Sequence, residues 1–276
     1  MGILFALLLT SGRTVQAFVN KKGTSTLDSG VMALAFALMG ASFFWLLGPF
    51  LPSLWKPDAT ALLWGVLGGF ARYYCVKFTL DVRRDSNSAA MFIGFIAPGI
   101  AAPLNVGFLG EGLSAVQLIS CIAIGLLGAV FFMKGAASEL SPSGKKAFAI
   151  ALFWLSIILI SNQAIIERTN WYMNGVFAYT SYLVVALFMI GRAKLPLAPN
   201  LKQPILWYCG AVYAMLLWLT LYSSDRVLGV SITQIFQNLS VPVIMLLSHY
   251  IYRERTAREQ LIFGLLAFII ALPLIL

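Results

Sequence analysis

The sequence predicts an all-α integral membrane protein of ten transmembrane helices, arranged as two inverted five-helix repeats. Three observations predict it. Of the residues, 60% are hydrophobic and only 11% charged, whereas a soluble domain carries about a quarter charged residues. The apolar residues gather into runs of the length that a helix needs to cross a bilayer. The chain also repeats itself: Glu111…Gln117 and Glu254…Gln260 both read Glu-x5-Gln, 143 residues apart, and Ser88 and Ser231 share that offset.

Taken in order, the predicted spans are Gly2–Val19, Ser29–Leu51, Thr60–Leu80, Asn87–Leu109, Leu113–Met133, Ala147–Ile166, Trp171–Ile190, Pro204–Tyr222, Leu228–Ile251 and Leu261–Leu276. Lipid offers the backbone no hydrogen-bond partners, and these runs are too long for barrel strands, so each reads as a helix. Short connections carry the expected breakers: Lys21-Lys22-Gly23-Thr24-Ser25, Lys56-Pro57-Asp58, Arg83-Arg84-Asp85-Ser86, Ser141-Pro142-Ser143-Gly144 and Leu195-Pro196. None is long enough for a soluble domain. The repeats divide at about residues 1–138 and 139–276. Five helices is an odd number, so the second repeat enters the membrane from the opposite side, as in many carriers.

The net charge of +9 does not point to nucleic acid, because the basic residues sit in short loops between apolar runs, where they orient membrane helices. Cys75, Cys121 and Cys209 fall inside apolar segments without a CxxC pair, and read as small buried residues rather than disulfides or metal ligands. No cofactor and no metal site is expected. Counting loops from the first, the odd ones hold thirteen Lys and Arg residues and the even ones three (Lys56, Arg168, Arg226). The positive-inside rule then places the odd loops in the cytoplasm and both termini outside. The first apolar run begins at residue 3 without a basic stretch before it, and reads as a retained helix rather than a cleaved signal.

Two motifs close the two five-helix units: Pro98…Gly110-Glu111-Gly112-Leu113-Ser114…Gln117, and Pro242…Arg253-Glu254-Arg255-Thr256…Gln260. With them the whole chain resembles the EamA-type members of the drug/metabolite transporter superfamily. The resemblance implies secondary transport of a small metabolite by alternating access through a central cavity in the cell (inner) membrane. It implies that the third, fourth, eighth and ninth helices lie near that cavity and the fifth and tenth at the periphery. It also implies termini inside, in conflict with the charge count.

Every Asp and Glu lies in a loop or at its edge, Glu111 and Glu254 included. Exporters of lipophilic cations need a membrane-embedded carboxylate, which speaks against cationic-drug efflux. The buried charges expected here are positive. Arg13 lies about two-thirds along the first span and Arg72 just past the middle of the third. An arginine at such depth costs about 2.5–3.5 kcal/mol on insertion scales, and its fork suits a carboxylate or phosphate. The bland alternative is a side chain that snorkels or binds helix carbonyls, which is the expectation for Lys77. Arg13, Gln16 and Asn20 share one helix face, as do Ser231, Gln234 and Asn238. Either stripe lines a wet cavity or bonds between helices. Tyr73, Tyr179 and Trp218 are mid-span aromatics that can stack on a substrate. The candidate substrate-binding set is therefore Arg13, Gln16, Arg72, Tyr73, Tyr179, Trp218, Gln234 and Asn238. Ser161-Asn162-Gln163 reads equally well as interfacial.

Pro98, Gly99 and Pro103 loosen the fourth helix, and Pro242 the ninth, as hinges or as packing kinks. Glu111 and Glu254 each read as a cap on the helix that follows, with gating as the alternative. A membrane enzyme would need a nucleophile–base pair or paired acids at depth, and the sequence holds none; no enzyme activity is expected. A channel would show charge rings or a carbonyl filter. The favoured substrate is an amino acid or other carboxylate or zwitterion, with nucleotide sugars or drugs as the alternative. Both halves lie in one chain, so a monomer suffices; a homodimer is the other option.

Overall fold

A computed structural model describes residues 2–195, 200–240, 244, 250–251, 258–271 and 274. Among them the structure is helical throughout, without a strand. The helices are α1 (Gly2–Thr24), α2 (Ser29–Leu47), α3 (Ala59–Asp85), α4 (Asn87–Leu109), α5 (Ala115–Lys134), α6 (Pro142–Arg168), α7 (Trp171–Ala193), α8 (Pro204–Arg226), α9 (Val230–Asn238) and α10 (Arg258–Ala271). Six are long and apolar enough to cross a membrane: α2, α4, α5, α6, α7 and α8. The other four predicted spans do not reach that standard. α3 carries Arg72 at mid-length, and the last two predicted spans are described only in part. Pro242 and Glu254 lie outside the described residues, as does the side chain of Asn238.

Local chemistry sets the helix starts. Asp28, Asp58, Ser86, Ser141 and Asn170 each accept a first-turn backbone N–H, at α2, α3, α4, α6 and α7. Ser114 and Gln117 form a reciprocal capping box at α5. Here one expectation is corrected: Ser114, and not Glu111, caps the helix that follows. α3 also runs on into the predicted breaker at 83–86 and stops at Asp85, and Ser86 is already the cap of α4.

Helix pairing crosses the midpoint of the chain. α3 packs on α6 and α7, α8 on α1 and α2, α4 on α6 and α9, and α9 on α1. Glycines 65, 68 and 69 let α3 lie close against α6 and α7. α4 continues as a helix through both Pro98 and Pro103. Gly99 meets Gly125 of α5 so closely that a Cβ on it would stand 2.8 Å from the Gly125 Cα, which makes this stretch a tight backbone contact. Pro98 has no N–H and cannot donate to the carbonyl of Gly94, four residues back.

Two buried cores result. One joins α4, α5, α6, α9 and α10 around Phe92, Phe95, Phe132, Phe148, Phe236 and Phe263. The other joins α2, α3, α7 and α8 around Phe36, Phe44, Tyr73, Tyr172 and Tyr182. A polar cavity lies where they meet, with lining residues drawn from both.

Candidate functional site

The cavity has a volume of about 150 Å³ and takes its lining from α1, α2, α3, α4, α6, α7, α8 and α9; among the described residues none on α5 or α10 lines it. α1 contributes Arg13, Gln16 and Asn20 at one-face spacing. Gln16 and Asn20 are buried, and the Arg13 guanidinium donates from Nη1 to Gln16 Oε1 at 2.5 Å. α3 contributes Arg72, which is only 3% exposed. Its Nη2 donates to Asn162 Oδ1 of α6 at 2.5 Å, and its guanidinium carbon stands 4.9 Å from the centre of the Tyr179 ring on α7, a cation–π distance. The Tyr179 hydroxyl is 3.0 Å from that of Tyr213 on α8, and the Tyr213 ring stacks on Phe36 at 4.6 Å. Gln237 of α9 donates to Thr220 of α8.

Some bonding capacity stays unused. Arg13 Nε and Arg72 Nη1 have no acceptor, and Asn20 Oδ1 has no donor. Among the described residues no Asp or Glu lines the cavity. Of the three guanidiniums at the cavity, those of Arg13 and Arg72 have neutral amides as hydrogen-bond partners. Arginine does not lose its proton in proteins, so the cavity is positive at any physiological pH. Among the described residues no group of three His, Cys, Asp or Glu is placed to hold a metal ion, and the three cysteines are free and buried.

No protein-family model and no curated protein matches this chain. A solved structure, described only as the crystal structure of a protein, matches 99% of this chain with 98% of its own length at a TM-score of 0.68 and 12% identity. At that identity the likeness is one of fold.

Of the expected substrate-binding residues, the structure brings Arg13, Gln16, Arg72, Tyr179 and Gln234 together around the cavity. Two lie elsewhere. Tyr73 is buried in the core of α2, α3, α7 and α8, because neighbours on a helix point about 100° apart and Arg72 takes the cavity face. Trp218 is 41% exposed on the outer surface of α8, with Tyr222 beside it at 5.7 Å. Five helical positions separate it from Tyr213, about 140° of rotation, and Tyr213 is the α8 aromatic that faces inward.

Sequence reasoning left Asn162 open between cavity and interface, and did not place Tyr213, Gln237 or Arg83 in the candidate set. Asn162 is 6% exposed, lines the cavity and holds Arg72. Arg83, expected in a loop, is 1% exposed and lines the cavity, donating from Nη1 to Ala17 O at 3.2 Å and to Asn87 Oδ1 at 2.5 Å. The available signal was spacing: residues 72 and 83 are eleven apart, three helical turns, hence one face. Lys77 pairs with Asp81 at 3.1 Å toward the end of α3, in line with its expected snorkelling.

Beside the cavity, Glu111 is 4% exposed and ties the two halves of the chain. It accepts from Ser231 N and Ser231 Oγ at 2.7 Å each, and from Asn105 Nδ2 at 3.1 Å. The acid thus caps the first turn of α9, which begins directly after Gly229, whose φ of +79° suits a residue without a Cβ. Ser86 and Ser88, at the start of α4, donate to Glu139 Oε2 at 2.5 and 3.1 Å.

Proposed function

We propose that this chain is a secondary transporter that carries a small organic anion through the cavity by alternating access. One observation carries the reading: Arg13 and Arg72 face a central cavity that offers no carboxylate, with N–H groups left unpaired. Buried charges are ordinarily paired, and a mobile anion is the partner this arrangement lacks. A zwitterionic amino acid fits less well, because the lining offers its ammonium group only neutral oxygens and two competing cations. Size narrows the class further. A volume of about 150 Å³ is enough for a molecule the size of benzene, so a small carboxylate fits. Lipophilic cations would be repelled.

Membership of the EamA-type drug/metabolite transporters, with ten spans in two inverted repeats, belongs to the same proposal. Its support is the helix pairing. Exchange of α1–α5 with α6–α10 turns the α3–α6 contact into α8–α1, α3–α7 into α8–α2, and α4–α6 into α9–α1, all of which occur. The lining likewise leaves out α5 and α10. Transport rather than catalysis is the reading supported by a lining in which, among the described residues, no acid or histidine stands to act as a base. The inner membrane and a working monomer are part of the reading.

The test is thermal stabilisation of the purified protein by small carboxylates, amino acids, nucleotide sugars and lipophilic cations. A ligand at one hundred times its Kd stabilises by about 2.7 kcal/mol. Small carboxylates should raise Tm in proportion to log concentration. Stabilisation by cations alone would contradict the proposal.

A further inference from the structure

We infer that the cavity is built for a small dianion, a dicarboxylate or a phosphate monoester, rather than for a monoanion or a zwitterion. This rests on the carrier reading above and narrows its substrate. Arg13 and Arg72 come from different helices, α1 and α3, and each spends one N–H bond on a neutral amide, Gln16 and Asn162. Each keeps a further nitrogen without an acceptor, Nε of Arg13 and Nη1 of Arg72. Arg72 is almost wholly buried, and its other neighbour is the uncharged face of Tyr179. Arg13 and Arg72 thus present two positive charges to the cavity, each with a directional donor to spare, and among the described residues the lining supplies no negative charge.

A monoanion would neutralise one guanidinium and leave the other buried beside it without a counter-charge. A zwitterion would bring a third cation. A dianion balances both, and each of its charged groups can take a fork of N–H bonds. Arg83 also lines the cavity and keeps its charge, but its Nη1 is already engaged twice, by the Ala17 carbonyl and by Asn87, so the pair assigned to the ligand is Arg13 with Arg72. A four-carbon dicarboxylate and a small phosphate monoester share the needed chemistry: two negative charges on a body small enough for the cavity.

The experiment is calorimetric titration of the full-length protein in detergent with a set matched in length and differing in charge: succinate, butyrate and 4-aminobutyrate, with methyl phosphate as the phosphate arm. Succinate or methyl phosphate is expected to bind at least about tenfold more tightly than butyrate, with 4-aminobutyrate weakest. Arg13→Gln and Arg72→Gln should each weaken dianion binding by more than about tenfold while leaving butyrate within about threefold, so that the preference collapses. Arg72→Lys, which keeps the charge and loses the fork, should retain the preference and serves where the glutamine variant does not fold. Succinate and methyl phosphate divide the two sources between them. Butyrate binding as tightly as either dianion, or a dianion preference that survives both glutamine substitutions, would overturn the inference and leave the carrier reading intact. Binding of no anion in the set would sink the carrier reading with it.

Discussion

Replacing Arg72 by glutamine separates a ligand-binding arginine from a structural one. In the structure Arg72 is 3% exposed and donates to Asn162 at 2.5 Å. Losing a hydrogen bond that involves a charged group costs about 1.5–3 kcal/mol. Against this stands the cost of a guanidinium at membrane depth, about 2.5–3.5 kcal/mol. The two terms nearly cancel, so the unliganded Arg72→Gln protein should keep its stability within about 1 kcal/mol. Binding should behave differently. Truncating one partner of a buried charged pair costs about 2–5 kcal/mol, or roughly thirtyfold to several thousandfold in Kd. Thermal melts without ligand, set beside calorimetric titration with succinate, read the two quantities separately. A variant that binds within about threefold of wild type, or that loses several kcal/mol of stability without ligand, would refute the reasoning and make Arg72 a packing residue.

Three more outcomes follow from particular contacts. Trp218→Ala should leave ligand affinity within about threefold, since Trp218 is 41% exposed on the outer face of α8, whereas Tyr213→Phe should weaken it by about fivefold through loss of the 3.0 Å contact with Tyr179; titrations of both variants check this. Glu111→Gln should lower stability by about 1.5–3 kcal/mol, because the two donors of Ser231 lose a charged acceptor; the melting temperature reports it, and Ser231→Ala should move in the same direction by less. Gly99→Ala should destabilise by about 1–3 kcal/mol, since the added Cβ meets the Gly125 backbone at 2.8 Å and a backbone cannot turn aside; unchanged melting would show that α4 and α5 separate freely.

How much of this was legible in the sequence depended on the physical signal each feature leaves. The helices were plain, because apolar runs and cap residues are local; Asp58, Ser86 and Asn170 mark their starts at the positions where they act. The cavity face of α1 was also readable, since Arg13, Gln16 and Asn20 fall at helical spacing and no polar stripe faces lipid without cost. The aromatics were harder. Tyr73 and Trp218 sit mid-span like Tyr179, but depth in the membrane does not say which way a ring points, and only the packing of neighbours decides it. Arg83 was read as a loop residue because loops are where arginines usually lie; α3 continues past it, and the Ala17 carbonyl and Asn87 hold its guanidinium inside. The reach of Glu111 was out of view for a different reason: its partner Ser231 is 120 residues away, and the sequence shows only the nearer helix that such an acid could cap.

The most direct test of the central claim is counterflow in proteoliposomes. Vesicles loaded with unlabelled succinate would be diluted into trace labelled succinate, and the label inside followed with time. An alternating-access carrier of small organic anions predicts saturable, transient accumulation that depends on the internal succinate and is lost in Arg72→Gln. Entry that rises linearly with concentration, or no entry above that of protein-free vesicles, would contradict the account.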